Sequence, residues 1–467
     1  MILQQFYLGC LAHASYIVAD EESGVACVVD PQRDVDGYVE FAREHGLRIE
    51  HVLLSHLHAD FLAGHLELRD RCGARIHLGA AAEAEYDFAP MDDGGTLELG
   101  PRVALRFLST PGHTPESSCI VVQQEGRDHA ALTGDTLFIG DVGRPDLLVS
   151  VGMTAEELSE KMFDSLHEKL GTLADSVIVF PAHGASSACG TNISSEKQST
   201  LGRQRAINWA LQPMDRQEFV ARLSGAQSSP PAYFSYDAKL NRRELPTLSA
   251  VLEEVLRPLT VARFMELRAG GAQILDTRST ADFAKRHLEQ SIFVGLGGDY
   301  ASWAGSILDP EVEIALIAEP GREREAALRL GRIGFDNIAG YVEGGFGAIA
   351  ASGDCDALLD SWERWDGGRI ASELSSPESV FLLDVRGIRE REQGHIDGSA
   401  HLPLPELARR AAGSALADAF PHDRPIVAYC AGAYRSVIAT SLLRRAGYDN
   451  CTDLIGGFAA WKEFDAS

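Results

Sequence analysis

A short segment near residue 56 combines residue types that bind transition metals. It reads His56-Leu-His58-Ala-Asp60, so two imidazoles and a carboxylate occur within five residues. Imidazole and carboxylate groups are ligands that zinc and iron share. A single histidine beside an apolar strand usually belongs to a packed core. This spacing, directly after the apolar run at 49–55, predicts a metal site instead.

Three further metal-type residues follow strand-like segments later in the chain. His113 lies in Pro-Gly-His-Thr-Pro, Asp135 in Thr-Gly-Asp-Thr-Leu-Phe, and His183 in Pro-Ala-His-Gly. Each motif comes at the end of a short apolar run of the kind that forms buried strands. Any one of them could be a turn with a capping residue. Together with the first motif, they predict loops that converge on one rim of a sheet structure.

A cysteine near the C-terminus predicts nucleophilic sulfur chemistry. Cys430 follows a strand-like run, and four residues separate it from Arg435, before a helix predicted at 437–445. The loop amides, the helix N-terminus and the guanidinium would stabilise a thiolate and a bound anionic sulfur group. The alternatives are a buried structural cysteine and a phosphatase loop. Phosphatase loops place more residues between Cys and Arg, so the shorter loop favours sulfur transfer.

The last two hundred residues contain an internal repeat, which indicates two similar domains. The segment at 274–278, Ile-Leu-Asp-Thr-Arg, matches Leu-Leu-Asp-Val-Arg at 382–386, and Gly-Phe-Asp-Asn at 334–337 matches Gly-Tyr-Asp-Asn at 447–450. Each copy alternates strands and helices, as a small parallel α/β domain does. A length of 467 residues suits about three domains. We expect domains at 1–245, 255–352 and 362–467.

Composition limits the environments and partners of the chain. A net charge of −26 argues against a nucleic-acid surface and against docking on anionic lipid. No apolar stretch approaches the ~20 residues of a membrane span, and the N-terminal residues lack the pattern of a secretory signal. The eight cysteines include no CxxC pair, which is typical of reduced cytoplasmic proteins. We expect a cytoplasmic homo-oligomer that binds neither nucleic acid nor membrane.

The four metal-type motifs together resemble the metallo-β-lactamase superfamily, in its glyoxalase-II and persulfide-dioxygenase branch. The resemblance covers about the first 245 residues and implies an αββα sandwich with a metal site along one edge. The C-terminal repeat resembles the rhodanese domain twice over. The expected fold class is therefore α/β, an αββα sandwich followed by two rhodanese-like parallel α/β domains. In the first copy, Ile317 or Ala318 aligns with Cys430, so this copy is expected to be catalytically inactive.

The resemblance also implies a ligand set. Persulfide dioxygenases use a mononuclear Fe(II) with two histidines and one carboxylate, which here correspond to His56, His113 and Asp135. This facial arrangement leaves positions open for O2 and a substrate sulfur. The neighbours expected to orient ligands or waters are His58, Asp60 and His183. Phe61 stands where the superfamily has a histidine of the second metal position, so we expect one Fe(II) per chain.

Two more residues are candidates for substrate contact. Arg144 lies in a segment that resembles the family's G-R-x-D motif, and its guanidinium could bind the carboxylate of a thiol substrate. The alternative is a structural bridge to Asp146. Cys189 lies six residues after His183 and could hold sulfane sulfur transiently. The alternative is a small buried hydrophobe.

The resemblance thus predicts a bifunctional enzyme of sulfide detoxification. The Fe(II) site would oxidise the sulfane sulfur of a low-molecular-weight thiol persulfide with O2 to sulfite. Cys430 would carry sulfane sulfur as a persulfide and form or use thiosulfate. One alternative is a zinc-dependent thioester hydrolase of glyoxalase-II type fused to a sulfurtransferase. Another is a non-enzymatic sulfur carrier or persulfide sensor.

Overall fold

The structure is a computed structural model that describes residues 1–147, 152–185, 187–190, 192–225, 230–375, 379–416 and 419–465. The chain forms two compact units. The first comprises Met1–Val251 with Gly331–Gly334, and the second comprises Leu252–Leu330 with Phe335–Ser467. The division into three domains at 1–245, 255–352 and 362–467 stays a prediction. None of the helices in the described ranges has the length and apolar character needed to span a bilayer.

Two six-stranded sheets form the centre of the first unit. The first sheet has the order β1-β2-β3-β4-β5-β6, antiparallel from β1 to β3 and parallel from β3 to β6. The second has the order β12-β11-β10-β9-β8-β7, in which only β10 and β11 pair in parallel. The strands are β1 Ile2–Leu8, β2 His13–Asp20, β3 Val25–Val29, β4 Arg48–Leu53, β5 Arg75–Gly79, β6 Ala89–Met91, β7 Thr96–Glu98, β8 Val103–Ser109, β9 Ser118–Gln124, β10 Arg127–Gly134, β11 Ile178–Pro181 and β12 Ser199–Thr200.

Helices cover both outer faces of this pair of sheets. The helices of this unit are α1 Asp36–Glu44, α2 His65–Cys72, α3 Ala155–Asp164, α4 Leu201–Ile207, α5 Arg216–Leu223 and α6 Phe234–Leu240, and α7 Leu248–Val255 begins in this unit and ends in the second. Helices α1 and α2 contact β4, while Met162 of α3 and Phe219 of α5 pack in one buried cluster with Val121 of β9. Between the sheets, Tyr16 and Leu53 meet Leu132 and other apolar side chains. The expected αββα sandwich is confirmed.

The second unit contains two parallel sheets. The five-stranded sheet has the order β13-β18-β17-β14-β16, the four-stranded sheet has the order β21-β20-β22-β23, and β15 pairs with β19. The strands are β13 Pro258–Leu259, β14 Gln273–Asp276, β15 His287–Leu288, β16 Ile292–Phe293, β17 Ile314–Ile317, β18 Ile338–Val342, β19 Leu359–Asp360, β20 Phe381–Asp384, β21 Ala400–His401, β22 Ile426–Tyr429 and β23 Cys451–Asp453. These sheets confirm the expected pair of parallel α/β folds.

Helices flank the two parallel sheets. They are α8 Val261–Ala269, α9 Thr280–Lys285, α10 Tyr300–Ile307, α11 Glu323–Gly331, α12 Gly345–Ala351, α13 Gly367–Leu374, α14 Ile388–Glu392, α15 Leu404–Ala412, α16 Tyr434–Arg445 and α17 Gly457–Asp465. Helix α16 begins three residues earlier than predicted, so Arg435 lies in its first turn. The early start follows from Ala433, whose φ of +76° turns the chain from the loop into the helix.

Candidate functional site

The loop after β4 carries the first metal-type motif. The carboxylate of Asp30, directly after β3, holds this loop. His56, His58 and Asp60 are all buried. Asp30 accepts hydrogen bonds from the Ser55 amide at 2.7 Å and from His58 Nε2 at 3.0 Å. Because His58 donates through Nε2, its Nδ1 carries the lone pair and can act as a ligand atom. The sequence analysis did not single out Asp30.

A buried amide from a distant segment fixes the rest of this loop. Asn241, at the end of α6, is 1% exposed. Its Nδ2 donates to the carbonyls of His58 and Phe61, both at 2.7 Å, and its Oδ1 accepts from the Ala63 amide at 3.0 Å. Both amide hydrogens and the carbonyl oxygen of the side chain are therefore used to shape residues 58–63. No local sequence signal identifies this role, because the partners lie about 180 residues apart.

The structure brings His56, His113 and Asp135 together. Each offers one atom in a group whose members lie within 4.8 Å of one another. His113 Nε2 lies 3.4 Å from Asp135 Oδ2, and His56 Nε2 lies 3.9 Å from the same oxygen. All three side chains are buried. Two imidazoles and one carboxylate facing a common point form the donor set that non-haem Fe(II) prefers.

Hydrogen bonds at the far side of each ring orient these imidazoles. His113 Nδ1 donates to the Arg144 carbonyl at 2.8 Å, and His183 Nδ1 donates to the Ala12 carbonyl at 3.3 Å. His56 Nδ1 bonds with Ser55 Oγ at 3.0 Å. Burial, together with the neighbouring imidazoles, holds the pKa of His56 well below its usual range. The neutral ring therefore presents an Nε2 lone pair to the cluster.

A second group adjoins the first. His58, Asp60 and His183 offer atoms within 4.8 Å of one another, with His183 Nε2 3.4 Å from Asp60 Oδ2 and 3.7 Å from Asp135 Oδ1. Burial alone would lower the pKa of His183, but the carboxylates of Asp135 and Asp60 outweigh it and raise that pKa. Burial raises the pKa of Asp60.

The donor atoms of this second group fit a bound cation. Among the described residues, His58 Nδ1, Asp60 Oδ1 and His183 Nε2 are buried without a hydrogen-bond partner. Leaving a buried polar group unpaired costs about 1–3 kcal/mol, and three such atoms beside one another are explained by a metal ion that they face. In the first group, both carboxylate oxygens of Asp135 are likewise without a partner among the described residues, so the residues present fit the metal that the sequence implies.

An aromatic ring and a further histidine complete the wall of the site. The ring centroid of Phe61 lies 4.3 Å from that of His58 and 4.0 Å from that of His13. His13, the first residue of β2, is 1% exposed, and its Nε2 has no partner in the described part of the chain. Burial and the nearby imidazoles lower the pKa of His13 well below its usual value. The sequence analysis missed His13, which stands alone in an apolar strand.

The two candidate substrate residues lie close to this site. The Arg144 guanidinium binds Asp146 through two hydrogen bonds of 2.6 and 2.7 Å, and its side chain is 3% exposed. This is the structural bridge that the sequence analysis considered; the substrate role stays a prediction. Cys189 offers its Sγ within 4.8 Å of Asp135 and His183. Burial, with the carboxylates of Asp60 and Asp135, raises the pKa of the Cys189 thiol well above its usual value.

The second unit places Cys430 at the carboxyl end of β22. Its thiol is buried and donates to Ser436 Oγ at 3.7 Å. Arg435 binds Glu390 of α14 through two hydrogen bonds of 2.7 and 2.6 Å. The sequence analysis placed Arg435 beside the thiol but missed Glu390, which precedes it by 45 residues.

The first copy of the repeat keeps an Asp–Arg ion pair that the second copy also has, but it lacks the nucleophilic cysteine. Arg386 binds Asp384 through its Nε and Nη2 at 2.9 and 2.7 Å, and Arg278 binds Asp276 in the same way at 2.9 and 2.6 Å. The repeated Asp-x-Arg motif is therefore a structural pair in both copies. Ile317 and Ala318, at the end of β17, are buried and apolar. This copy is degenerate.

Two known protein families match separate parts of the chain. The family described as the metallo-beta-lactamase superfamily matches residues 8–183, and the family described as the rhodanese-like domain matches residues 260–352 and 369–464. A mitochondrial persulfide dioxygenase of Bos taurus is 29% identical over 252 residues, which are 52% of this chain and 88% of that protein. A cytoplasmic hydroxyacylglutathione hydrolase of Arabidopsis thaliana is 30% identical over 181 residues, which are 38% of this chain and 66% of that protein.

One solved structure resembles more than the first unit. It is the crystal structure of a metallo-beta-lactamase from Staphylococcus aureus subsp. aureus COL, with a TM-score of 0.63 and 29% sequence identity. The match covers 73% of this chain and 98% of that chain. The likeness therefore extends beyond the metal-site unit into the region of the rhodanese-like repeats.

Proposed function

The chain belongs to the metallo-beta-lactamase superfamily through its N-terminal part and carries two rhodanese-like domains, and on this premise we propose that it is a persulfide dioxygenase and sulfurtransferase. The observation that carries the first activity is the buried group formed by His56, His113 and Asp135. Persulfide dioxygenases are among the relatives of this unit. The proposed substrates are a low-molecular-weight thiol persulfide and O2, and the products are the thiol and sulfite.

In this proposal His56, His113 and Asp135 hold one Fe(II) per chain. When bound, Fe(II) supplies the O2 chemistry that side chains lack. The carbonyls of Arg144 and Ala12 keep the imidazoles of His113 and His183 in the Nδ1-protonated form, with Nε2 facing the site. Phe61 excludes water beside His58 and offers no ligand. The overall reaction consumes persulfide, O2 and water and releases thiol, sulfite and protons.

The second proposed activity belongs to Cys430. Its thiolate would attack the sulfane sulfur of thiosulfate, the S–S bond of thiosulfate would break, and sulfite would leave as the Cys430 persulfide forms. The reverse direction would use sulfite from the first site and produce thiosulfate. The N-terminus of α16 and the loop amides lie next to Cys430, and such groups stabilise a thiolate. Together the two activities would detoxify sulfide in the cytoplasm.

Separate substitutions test the two sites. His113→Ala or Asp135→Ala should abolish persulfide-dependent O2 uptake and leave thiosulfate:cyanide transfer intact, whereas Cys430→Ser should do the reverse. Protein purified without oxygen should contain about one iron per chain, the stoichiometry of a mononuclear facial site. If each substitution abolishes both activities in folded protein, the two-site assignment is wrong.

A zinc-dependent thioester hydrolase is the second candidate for the first unit. The observation that favours it is the second group of donors, His58, Asp60 and His183, beside the first, in a chain related to a hydroxyacylglutathione hydrolase. Two adjacent metal positions suit hydrolysis by metal-bound hydroxide. Zinc content with thioester turnover and no O2 uptake would establish this candidate and exclude the dioxygenase. Absence of turnover with either substrate class would favour a binding protein.

A further inference from the structure

The loop of Cys430 rests on the degenerate copy through one side chain. Tyr434, the residue before Arg435, donates from its hydroxyl to the Gly295 carbonyl at 2.5 Å. Its ring lies against Gly298, where an added Cβ would stand 2.6 Å from the ring's Cζ. The glycine therefore makes room for the ring. Burial raises the pKa of Tyr434, so the hydroxyl stays protonated and available as a donor.

The helix that follows the loop contacts the same copy along its length. Near its middle, Ser441 Oγ accepts a hydrogen bond from the Phe293 amide at 3.3 Å. Near its end, Arg445 donates to the Gln290 carbonyl. Residues 436–443 of the helix are buried. Helix α16 is thus held at its start, middle and end by residues 290–295 of the degenerate copy.

The side chains of the loop do little to hold its shape, although the amides of Phe458 and Ala459 donate to the Cys430 and Ala431 carbonyls at 2.7 and 3.1 Å. The residues between Cys430 and Tyr434 are Ala431, Gly432 and Ala433, which carry no polar side chain. Ala433 has a φ of +76°, a conformation that is unfavourable for a residue with a Cβ. Such backbone strain persists only where surrounding structure imposes it. Tyr434 follows directly and is the first large side chain after Cys430.

We propose that the degenerate copy is a positioning domain for the sulfur-transfer loop, and that the contact of Tyr434 with Gly295 and Gly298 helps to hold Cys430 in its reactive geometry. In this copy, neither residue 317 nor residue 318 can carry sulfur. Its proposed role is therefore structural, through its contacts with α16. Tyr434 is a positioning residue, since it acts on the nucleophile through the backbone of the loop.

Two variants of the full-length protein test the proposal. Tyr434→Phe removes the hydrogen bond to the Gly295 carbonyl. Gly298→Ala places a methyl group where the Tyr434 ring lies and so displaces the ring. Tyr448→Phe is the matched control, because Tyr448 donates a similar hydrogen bond to the Leu416 carbonyl at 2.6 Å within the second copy, outside the Cys430 loop. One readout is the rate and pH profile of Cys430 alkylation by iodoacetamide, followed on the Cys430 peptide by mass spectrometry. The other is the kcat and KM of thiosulfate:cyanide transfer.

We expect Tyr434→Phe to lower kcat about fivefold, the effect of one net hydrogen bond, with little change in KM for thiosulfate. Both loop variants should change the alkylation rate of Cys430 and shift its pH profile, whereas Tyr448→Phe should not. The effect of Gly298→Ala should be largely absent in a Tyr434→Ala background, because both changes act through one ring.

Alkylation and transfer rates that match those of Tyr448→Phe in both loop variants would overturn the proposal. If Gly298→Ala does not fold, the alkylation and transfer rates of Tyr434→Phe alone test whether Tyr434 positions Cys430. The proposal rests on the proposed transfer activity only for its kinetic readout. If the unmodified protein transfers no sulfur, the proposed function fails, while the alkylation data still decide whether Tyr434 positions Cys430.

Discussion

Arg435 and Glu390 form a bidentate ion pair beside the buried thiol of Cys430. The two guanidinium nitrogens lie 2.7 and 2.6 Å from the two carboxylate oxygens, and Arg435 lowers the pKa of Glu390 below its ordinary value. An anionic sulfur substrate that binds the guanidinium must therefore compete with an internal carboxylate. Glu390 sets how much positive charge the loop presents to that substrate.

Glu390→Gln should strengthen binding of anionic donors at Cys430. The amide keeps a hydrogen bond to Arg435 but removes the competing negative charge, so the KM for thiosulfate should fall several-fold. Steady-state kinetics over a range of salt concentrations measures this effect. Glu392→Gln, an exposed residue of the same helix, makes the same change in net charge and should leave KM unchanged. A higher KM in Glu390→Gln would mean that the carboxylate mainly orients Arg435.

Asn241 should be essential for the shape of the metal loop. Asn241→Ala leaves the carbonyls of His58 and Phe61 and the Ala63 amide without their partner, so the first unit should lose about 2–4 kcal/mol of unfolding free energy. Metal content should fall with it. Asn241→Asp keeps the size of the side chain but cannot donate to the two carbonyls, so it should be about as harmful. Wild-type metal content in the Asp variant would show that these hydrogen bonds do not shape the site.

Phe61→His should add a nitrogen donor beside the second group of donors. Since the Phe61 ring packs against the ring of His58, an imidazole there would complete a second metal position, and metal content should rise toward about two ions per chain. Elemental analysis of protein purified without oxygen measures this change. Phe61→Leu, which offers no donor atom, should keep the metal content of the unmodified protein. An unchanged content in the His variant would argue against a second position at this place.

Acid should destabilise the first unit partly through His65. Burial lowers the pKa of His65 to about 3, whereas an unfolded histidine titrates near ~6.5. The unfolded chain therefore binds the proton first as the pH falls, and the folded state loses about 2 kcal/mol between pH 7 and pH 5. Denaturant unfolding at the two pH values should show a smaller loss in His65→Leu. Equal losses in both proteins would exclude His65 as the cause.

The residues that can do the chemistry are recognisable in the chain itself. His56, His113 and Asp135 lie in local motifs whose residue types suit a metal, and Cys430 lies in a loop whose length suits sulfur transfer. The resemblance of these motifs to the metallo-β-lactamase superfamily implied the αββα sandwich, and the C-terminal repeat indicated the two parallel α/β domains. These motifs can be recognised locally, because in each of them the metal-type residue directly follows the segment that forms the strand.

The tertiary structure alone decided which residues support that chemistry. Asn241, Glu390 and Tyr434 bond to partners 45 to 183 residues away in the chain. His13, at the start of β2, lies against the ring of Phe61 in the metal site. Tyr434 lies inside the Cys430 loop, but no local sequence signal identifies the distant partner of any of these residues. A buried hydrogen bond or ion pair depends on which surfaces meet when the sheets and helices pack. The sequence by itself therefore determined which groups are candidates for the chemistry. Packing determined how these groups are held, because the partners of a buried polar group are set by distance in space rather than along the chain.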